Sequence, residues 1–134
     1  MSLADAQRAL RDHLAYGVQA DPFAAIVPIV PVAFAGYVWP AGDWIEPAED
    51  GTFCTTRSVG LVVDLVAGIA DLGQAQTWLS DRVDEVWASA AAGVEVVSGE
   101  AIFPLRAPSP FVVRTEQGTE LLVVRIEFTR FTLE

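Results

Sequence analysis

The chain has 134 residues, of which 52% are hydrophobic and 19% charged. That balance excludes a disordered polymer and leaves enough chain for one domain, residues 1–134, with its own core. Net charge is −10 and all eight basic residues are arginine, so nucleic-acid phosphate and anionic lipid are repelled. A single cysteine, Cys54, excludes an internal disulfide and a multi-cysteine metal site.

Ser2 opens the first predicted helix, with Asp5 placed for a capping box. Leu3, Ala6, Leu10 and Leu14 share one face, and the helix is expected to end near Tyr16-Gly17. Asp21-Pro22 follows, then the proline-punctuated run Phe23–Val30, an irregular connection or an edge strand. The apolar stretch Phe23–Trp39 is broken by Pro28, Pro31 and Gly36, and no basic segment leads into it, so it is not expected to span a membrane. Val32–Trp39 is the first predicted strand, ended by Pro40. Ala41–Gly51 then reads as an acidic loop carrying Asp43, Glu46, Glu49 and Asp50, with Trp44 and Ile45 in its middle. Those two apolar residues either fold back on the core or contact a partner.

Phe53–Ala67 alternates as a one-sided strand, with Phe53, Val59, Leu61, Val63 and Leu65 on one face and Cys54, Thr56, Ser58, Gly60 and Asp64 on the other. Asp71–Gly93 is the clearest helix. Asp71 and Gln74 suit a capping box, and Gly93 suits a left-handed stop. Leu72, Ala75, Leu79, Val83, Val86 and Ala90 form its apolar stripe, flanked by Trp78 and Trp87, with Asp81, Asp84 and Glu85 on the wet side. If the strands around this helix are parallel, the crossover is right-handed.

Val94–Val97, a turn at Ser98-Gly99, and Ala101–Arg106 follow, then the break Pro108-Ser109-Pro110. Phe111–Thr115, the turn Glu116-Gln117-Gly118 and Thr119–Leu133 read as a hairpin whose last strand is over-long. Its apolar end, Phe131 and Leu133, either pairs with a neighbouring subunit or folds back after a bend near Thr129. The element order gives an α+β fold: a mixed, mostly antiparallel sheet with two helices packed on one face.

Chemistry finds few footholds. The one histidine, His13, lies on the first helix without a nucleophile motif nearby, and reads as an exposed helical residue. Ligand spacing for a zinc site or an EF-hand is absent, and the acidic run at residues 43–50 matches no calcium loop. No glycine-rich phosphate loop occurs. Four tryptophans without a basic groove do not make a base-stacking platform; core and interface suit them better. No catalytic residue, metal or cofactor is expected, and what remains is interaction surface.

The layout resembles the tail terminator proteins of long-tailed, siphovirus-type bacteriophages, the lambda gpU family. The likeness rests on the short N-terminal helix, the proline-broken first strand and the strand Arg57–Ala67 (RSVGLVVDLVA). It continues through the helix segment AQTWLSDRVDEVW, the hairpin SPFVVRTEQGTELLVVRIEFT and the acidic balance. The resemblance implies a homohexameric ring that caps the tail tube, ends tail polymerisation and forms the head-tail joining surface. DNA would pass through it unbound, and the protein would sit in the virion after synthesis in the host cytoplasm. Its partners would be the tail tube protein and a head connector protein. On this reading Trp44, Ile45, Arg57, Arg125, Glu127, Arg130 and Phe131 are expected at subunit or partner contacts. Asp43, Glu46, Glu49 and Asp50 are expected on an acidic lumen or docking loop. Head–tail connector subunits share much of the layout and are the nearest alternative. A small acidic hydrolase or isomerase and a small ligand-binding α+β module are alternatives of other classes.

Overall fold

The computed structural model describes residues 2–15, 23–24, 34–47, 57–115 and 118–133, without the side chains of 15, 23–24 and 42–47. Glu49, Asp50, Cys54, the ends of the first helix and second strand runs (Tyr16-Gly17, Phe53, Thr56), the proline-rich run after Ala24 and the turn residues Glu116-Gln117 lie outside the described residues, as do the side chains of Asp43, Trp44, Ile45 and Glu46.

The fold is α+β. Helix α1 (Leu3–Ala15) starts in a complete capping box. The Asp5 amide donates to Ser2 Oγ at 3.1 Å and the Ser2 amide donates to the Asp5 carboxylate at 3.0 Å. Helix α2 (Leu72–Ala90) starts where the Asp71 carboxylate accepts from the Gln74 amide at 3.0 Å, and ends one turn before Gly93, whose φ of +96° only glycine adopts without strain. Ala6, Leu10 and Leu14 of α1 and Ala75, Leu79, Val86 and Ala90 of α2 are buried in one core. Two stripe positions depart from expectation. Leu72, at the first position of α2, is exposed, and Val83 is only half-buried where it lines an open groove. His13 is accounted for by structure: its Nε2–H donates to the Ser89 carbonyl at 2.8 Å, satisfying an orphan acceptor in the last turn of α2.

The large sheet is built on β3 (Arg57–Gly68). On one side it pairs antiparallel with β2 (Ala35–Pro47), which is flanked in parallel by the two-residue β1 (Phe23–Ala24). On the other side β3 pairs antiparallel with β8 (Glu120–Phe128) and then with β9 (Phe131–Leu133). Beyond β8 lies a broken edge: β6 (Pro104–Arg106) and β7 (Phe111–Arg114), both antiparallel to β8. A separate hairpin, β4 (Val94–Val97) and β5 (Glu100–Ile102), turns at Gly99 with φ +78° and adds to the helical face. Since β4 leaves the main sheet, α2 makes no parallel crossover.

Two sequence expectations are corrected here, and a third, left open between two fates of the terminal residues, is decided. First, the chain does not leave the sheet at Pro40. It bulges between Pro40, opposite Leu61, and Ile45, opposite Val59, then rejoins the ladder, so Asp43, Trp44, Ile45 and Glu46 lie on β2 rather than in a free loop. A bulge tolerates a proline that cannot donate and frees the strand to continue. Second, β3 is not one-sided. Val59, Leu61, Val63, Leu65 and Ala67 face the helices, while Val66 joins Ala35, Tyr37, Leu121 and Val123 in a second buried cluster on the opposite face. Third, the last strand is interrupted after Phe128, and the tail stays in its own chain. Phe131 pairs with Val59 and Leu133 with Arg57, both side chains are buried in the main core, and Glu100 accepts from the Thr132 amide at 3.2 Å.

Leu79→Ala should cost about 2–4 kcal/mol and Leu72→Ala under about 1 kcal/mol, read as a urea-midpoint shift at constant slope. Comparable losses at both would remove the packing account of α2. The capping box also sets a pH dependence. The Asp5 carboxyl is held below its ordinary range, chiefly by the Ser2 backbone amide. Its contribution is complete above the ordinary aspartate value and is lost as pH falls through the lowered folded value. Amide exchange in the first turn of α1 should therefore rise selectively in acid, and Asp5→Asn should blunt that rise.

Candidate subunit interface

The face of the sheet away from the helices carries a line of ion pairs. Arg125 on β8 grips Asp64 on β3 as a fork, Nε to Oδ1 at 2.8 Å and Nη2 to Oδ2 at 3.0 Å. These residues are register partners in the ladder, so the backbone presents them already aligned. The Arg125 guanidinium also lies 5.7 Å over the Phe111 ring, which ties the sheet face to the β7 edge. Hydrogen bonding to Asp64 holds the Arg125 proton more tightly than usual, against the opposing effect of burial. Further along, Arg106 pairs with Glu127, and that bond raises the Arg106 pKa. Arg130 Nε donates to Ser58 Oγ and its Nη2 to the Ser58 carbonyl, both at 2.9 Å. Gly60 permits this crossing, since a Cβ there would come within 3.1 Å of both Arg130 Nη1 and the Ala41 Cβ.

Of the residues expected at contacts, the structure brings Arg125, Glu127 and Arg130 onto this one face, each already engaged within the chain. Arg57 is half-buried where β3 begins, opposite Leu133 and Pro47. Phe131 is 2% exposed in the chain's own core and presents no surface to a neighbour. Asp43, Trp44, Ile45 and Glu46 are on β2 at the opposite side of the sheet from β7. Among the described residues no three His, Cys, Asp or Glu side chains gather as a metal site would require, and no helix is long and apolar enough to cross a membrane.

Sequence reasoning missed the principal exposed feature. Seven large hydrophobic residues are exposed among those described, and five of them, Phe103, Leu105, Phe111, Val112 and Val113, lie along the β6–β7 edge. All four residues of β7 are exposed. This concentration of apolar side chains on an open edge is what soluble monomers avoid. A signal was present: Phe103–Thr115 contains two arginines and no acid in a chain with eighteen acids. Between this edge and α2, an open groove of about 540 Å³ is lined by Leu79, Val83, Pro108, Pro110 and Val124. A smaller cleft of about 110 Å³ lies on the other face between Tyr37, Val66, Phe111 and Arg125.

No family model and no curated protein sequence matches the chain. Among solved structures, the fold is similar to that of a chain from the "Virion of native gene transfer agent (GTA) particle". The two are 18% identical, the match covers 92% of each chain, and the TM-score is 0.55. At that identity the likeness is one of fold.

The Arg125–Asp64 fork should respond asymmetrically to mutation. The Asp64 side chain is 15% exposed and that of Arg125 is 42% exposed, so a deserted arginine reaches water more readily than a deserted aspartate. Arg125→Met should cost about 1–2 kcal/mol and Asp64→Asn less than about 1 kcal/mol, measured by chemical denaturation. The reverse order would contradict the burial argument.

Proposed function

We propose that this chain is a structural virion subunit, and specifically a tail terminator: a ring, six-fold in the simplest case, that caps the tail tube and presents the head-joining surface. The observation that carries the proposal is the fold likeness to a virion chain along 92% of both chains, which agrees with the resemblance in sequence layout. The open apolar edge supports it from another direction, because a subunit destined for a ring leaves an edge uncovered until its neighbour arrives. The net charge of −10 suits a channel through which DNA moves without adhering. In this proposal Asp43, Glu46, Glu49 and Asp50 face the lumen or a docking partner, and Trp44, Ile45, Arg57, Arg125, Glu127 and Arg130 belong to the contact surfaces. Phe131 is withdrawn from that set by its burial.

The test is solution mass by light scattering, alone and with assembled tail-tube protein. Six copies of a 14.4 kDa chain give a ring of roughly 86 kDa, and the proposal expects this species free in solution or on tube ends, with tubes that stop elongating once it binds. Binding to portal rings but not to tubes would transfer the role to a head-side connector subunit. A monomer or dimer indifferent to both, with a small molecule saturating the groove beside α2, would instead indicate a ligand-binding module.

A further inference from the structure

We propose that, in the free protein, β7 of one copy pairs antiparallel with β7 of a second copy about a two-fold axis through Val112. The inference stands apart from the ring proposed above. It names what covers the apolar edge before any other partner arrives.

Backbone geometry makes β7 ready for a partner strand. The Thr115 amide donates to the Thr119 carbonyl at 2.8 Å, which makes those two residues a hydrogen-bonded pair of the β7–β8 ladder. In an antiparallel ladder such pairs alternate. The continuing register places Phe111 opposite Val123 and Val113 opposite Leu121, so these residues spend their amides and carbonyls on β8. The amide and carbonyl of Val112, and those of Arg114, point outward instead. Among the described residues no strand meets them. A two-fold rotation lays a strand antiparallel against its own copy, and donors meet acceptors when outward residues face outward residues. The candidate registers are Val112 on Val112, Val112 on Arg114, and Arg114 on Arg114.

Charge selects among them. Arg114 on Arg114 sets two guanidinium groups side by side, and Val112 on Arg114 leaves them diagonal neighbours. With Val112 on the axis they stand four residues apart along the strands. That is about 13 Å at the strand rise, beyond the ~8 Å screening length at physiological salt. In this register Arg114 stands opposite Pro110 of the second copy. Pro110 and Asp84 both line the groove between the edge and α2. Arg114 is on the side of the sheet that faces this groove, because Val112, two residues before it, is the register partner of the core residue Leu122. Asp84 is the one charged residue in the groove lining, and it makes no ion pair among the described residues. The Arg114 side chain is 71% exposed even beside Glu120. Each copy thus offers its arginine to the other's aspartate, and the contact is made twice.

The opposite face agrees. There Phe111 of each copy meets Val113 of the other in a close, non-hydrogen-bonded position, an aromatic against a β-branched side chain. Both are exposed in the single chain and line the smaller cleft with Tyr37 and Val66. Phe103 and Leu105 lie outside the pairing and stay open to a different neighbour.

Light scattering of the free protein over a dilution series should show a species of roughly 29 kDa, two chains of 14.4 kDa, falling to monomer. Val112→Pro deletes the axial amide and spares the ladder to β8, so it should leave a monomer that still melts cooperatively. Asp84→Arg should weaken the dimer about tenfold, and adding Arg114→Glu should restore it. Cysteines read the register without depending on the proline variant. In a Cys54→Ser background, oxidised Val112→Cys should link two copies, since axial Cα atoms lie about 5.5 Å apart. Val113→Cys should not link. A free chain that stays monomeric at every concentration, or a dimer that survives Val112→Pro, overturns the inference. So does a free ring that dissociates straight to monomers, which leaves the terminator proposal standing. Linking at Val113 but not at Val112, or failure of the charge exchange to restore the dimer, overturns the register. A dimer that forms as expected while the chain ignores tail tubes overturns the terminator proposal alone.

Discussion

The structure depends on covering β3. This strand is nearly continuous hydrophobic chain from Val59 to Ala67, and almost all of that run is buried. A strand of that kind must have partners on both edges and layers on both faces. The edges are taken by β2 and by β8 with β9. The two helices cover one face through Leu10, Leu14, Leu79 and Val86, and the other holds the cluster around Tyr37, Val66 and Val123. Each remaining element is placed by that demand. The hairpin β4–β5 fills the space beside α1, and the end of the chain returns to β3 because the first residues of β3 would otherwise be bare on one edge.

Much of this was legible wherever the signal was local. Ser2 with Asp5, Asp71 with Gln74, and Gly93 each announce a helix end through hydrogen bonds spanning a few residues, and the structure makes those bonds. The hairpin turn at Gly118 was legible for the same reason. What failed was non-local. The second buried face of β3 was signalled by Val62 and Val66, which break strict alternation, but their burial depends on which strands flank them. Pro40, Gly42 and Asp43 are turn-forming types, so a bulge looked like an exit from the sheet. The bend at Thr129 left both fates of the terminal residues open, and only the three-dimensional register with β3 decided between them.

The candidate interface was partly legible. Arg125, Glu127 and Arg130 were singled out as a charged run on an unusual strand, and they do share a face. Their engagement inside the chain depends on residues 21 to 72 positions away and leaves no trace in local pattern. The exposed edge was signalled only by the missing acids of Phe103–Thr115; Phe111-Val112-Val113 otherwise reads as any interior strand until the sheet order shows that, among the described residues, no strand lies beyond it.

The interruption between β8 and β9 has a further consequence. Core residues of β8 are Leu122, Val124, Ile126 and Phe128, and those of β9 are Phe131 and Leu133. The parity changes from even to odd, so one surplus residue is absorbed while the apolar side chains stay on the core face. The two residues between them then have separate tasks. The Thr129 amide donates to the Phe103 carbonyl and its hydroxyl accepts from the Phe103 amide, whereas Arg130 crosses Gly60 to Ser58. Chain length at this point is therefore decoupled from the interior. A chain one residue shorter here would form an unbroken ladder with the same core, and would differ only in the surface it offers to the outside.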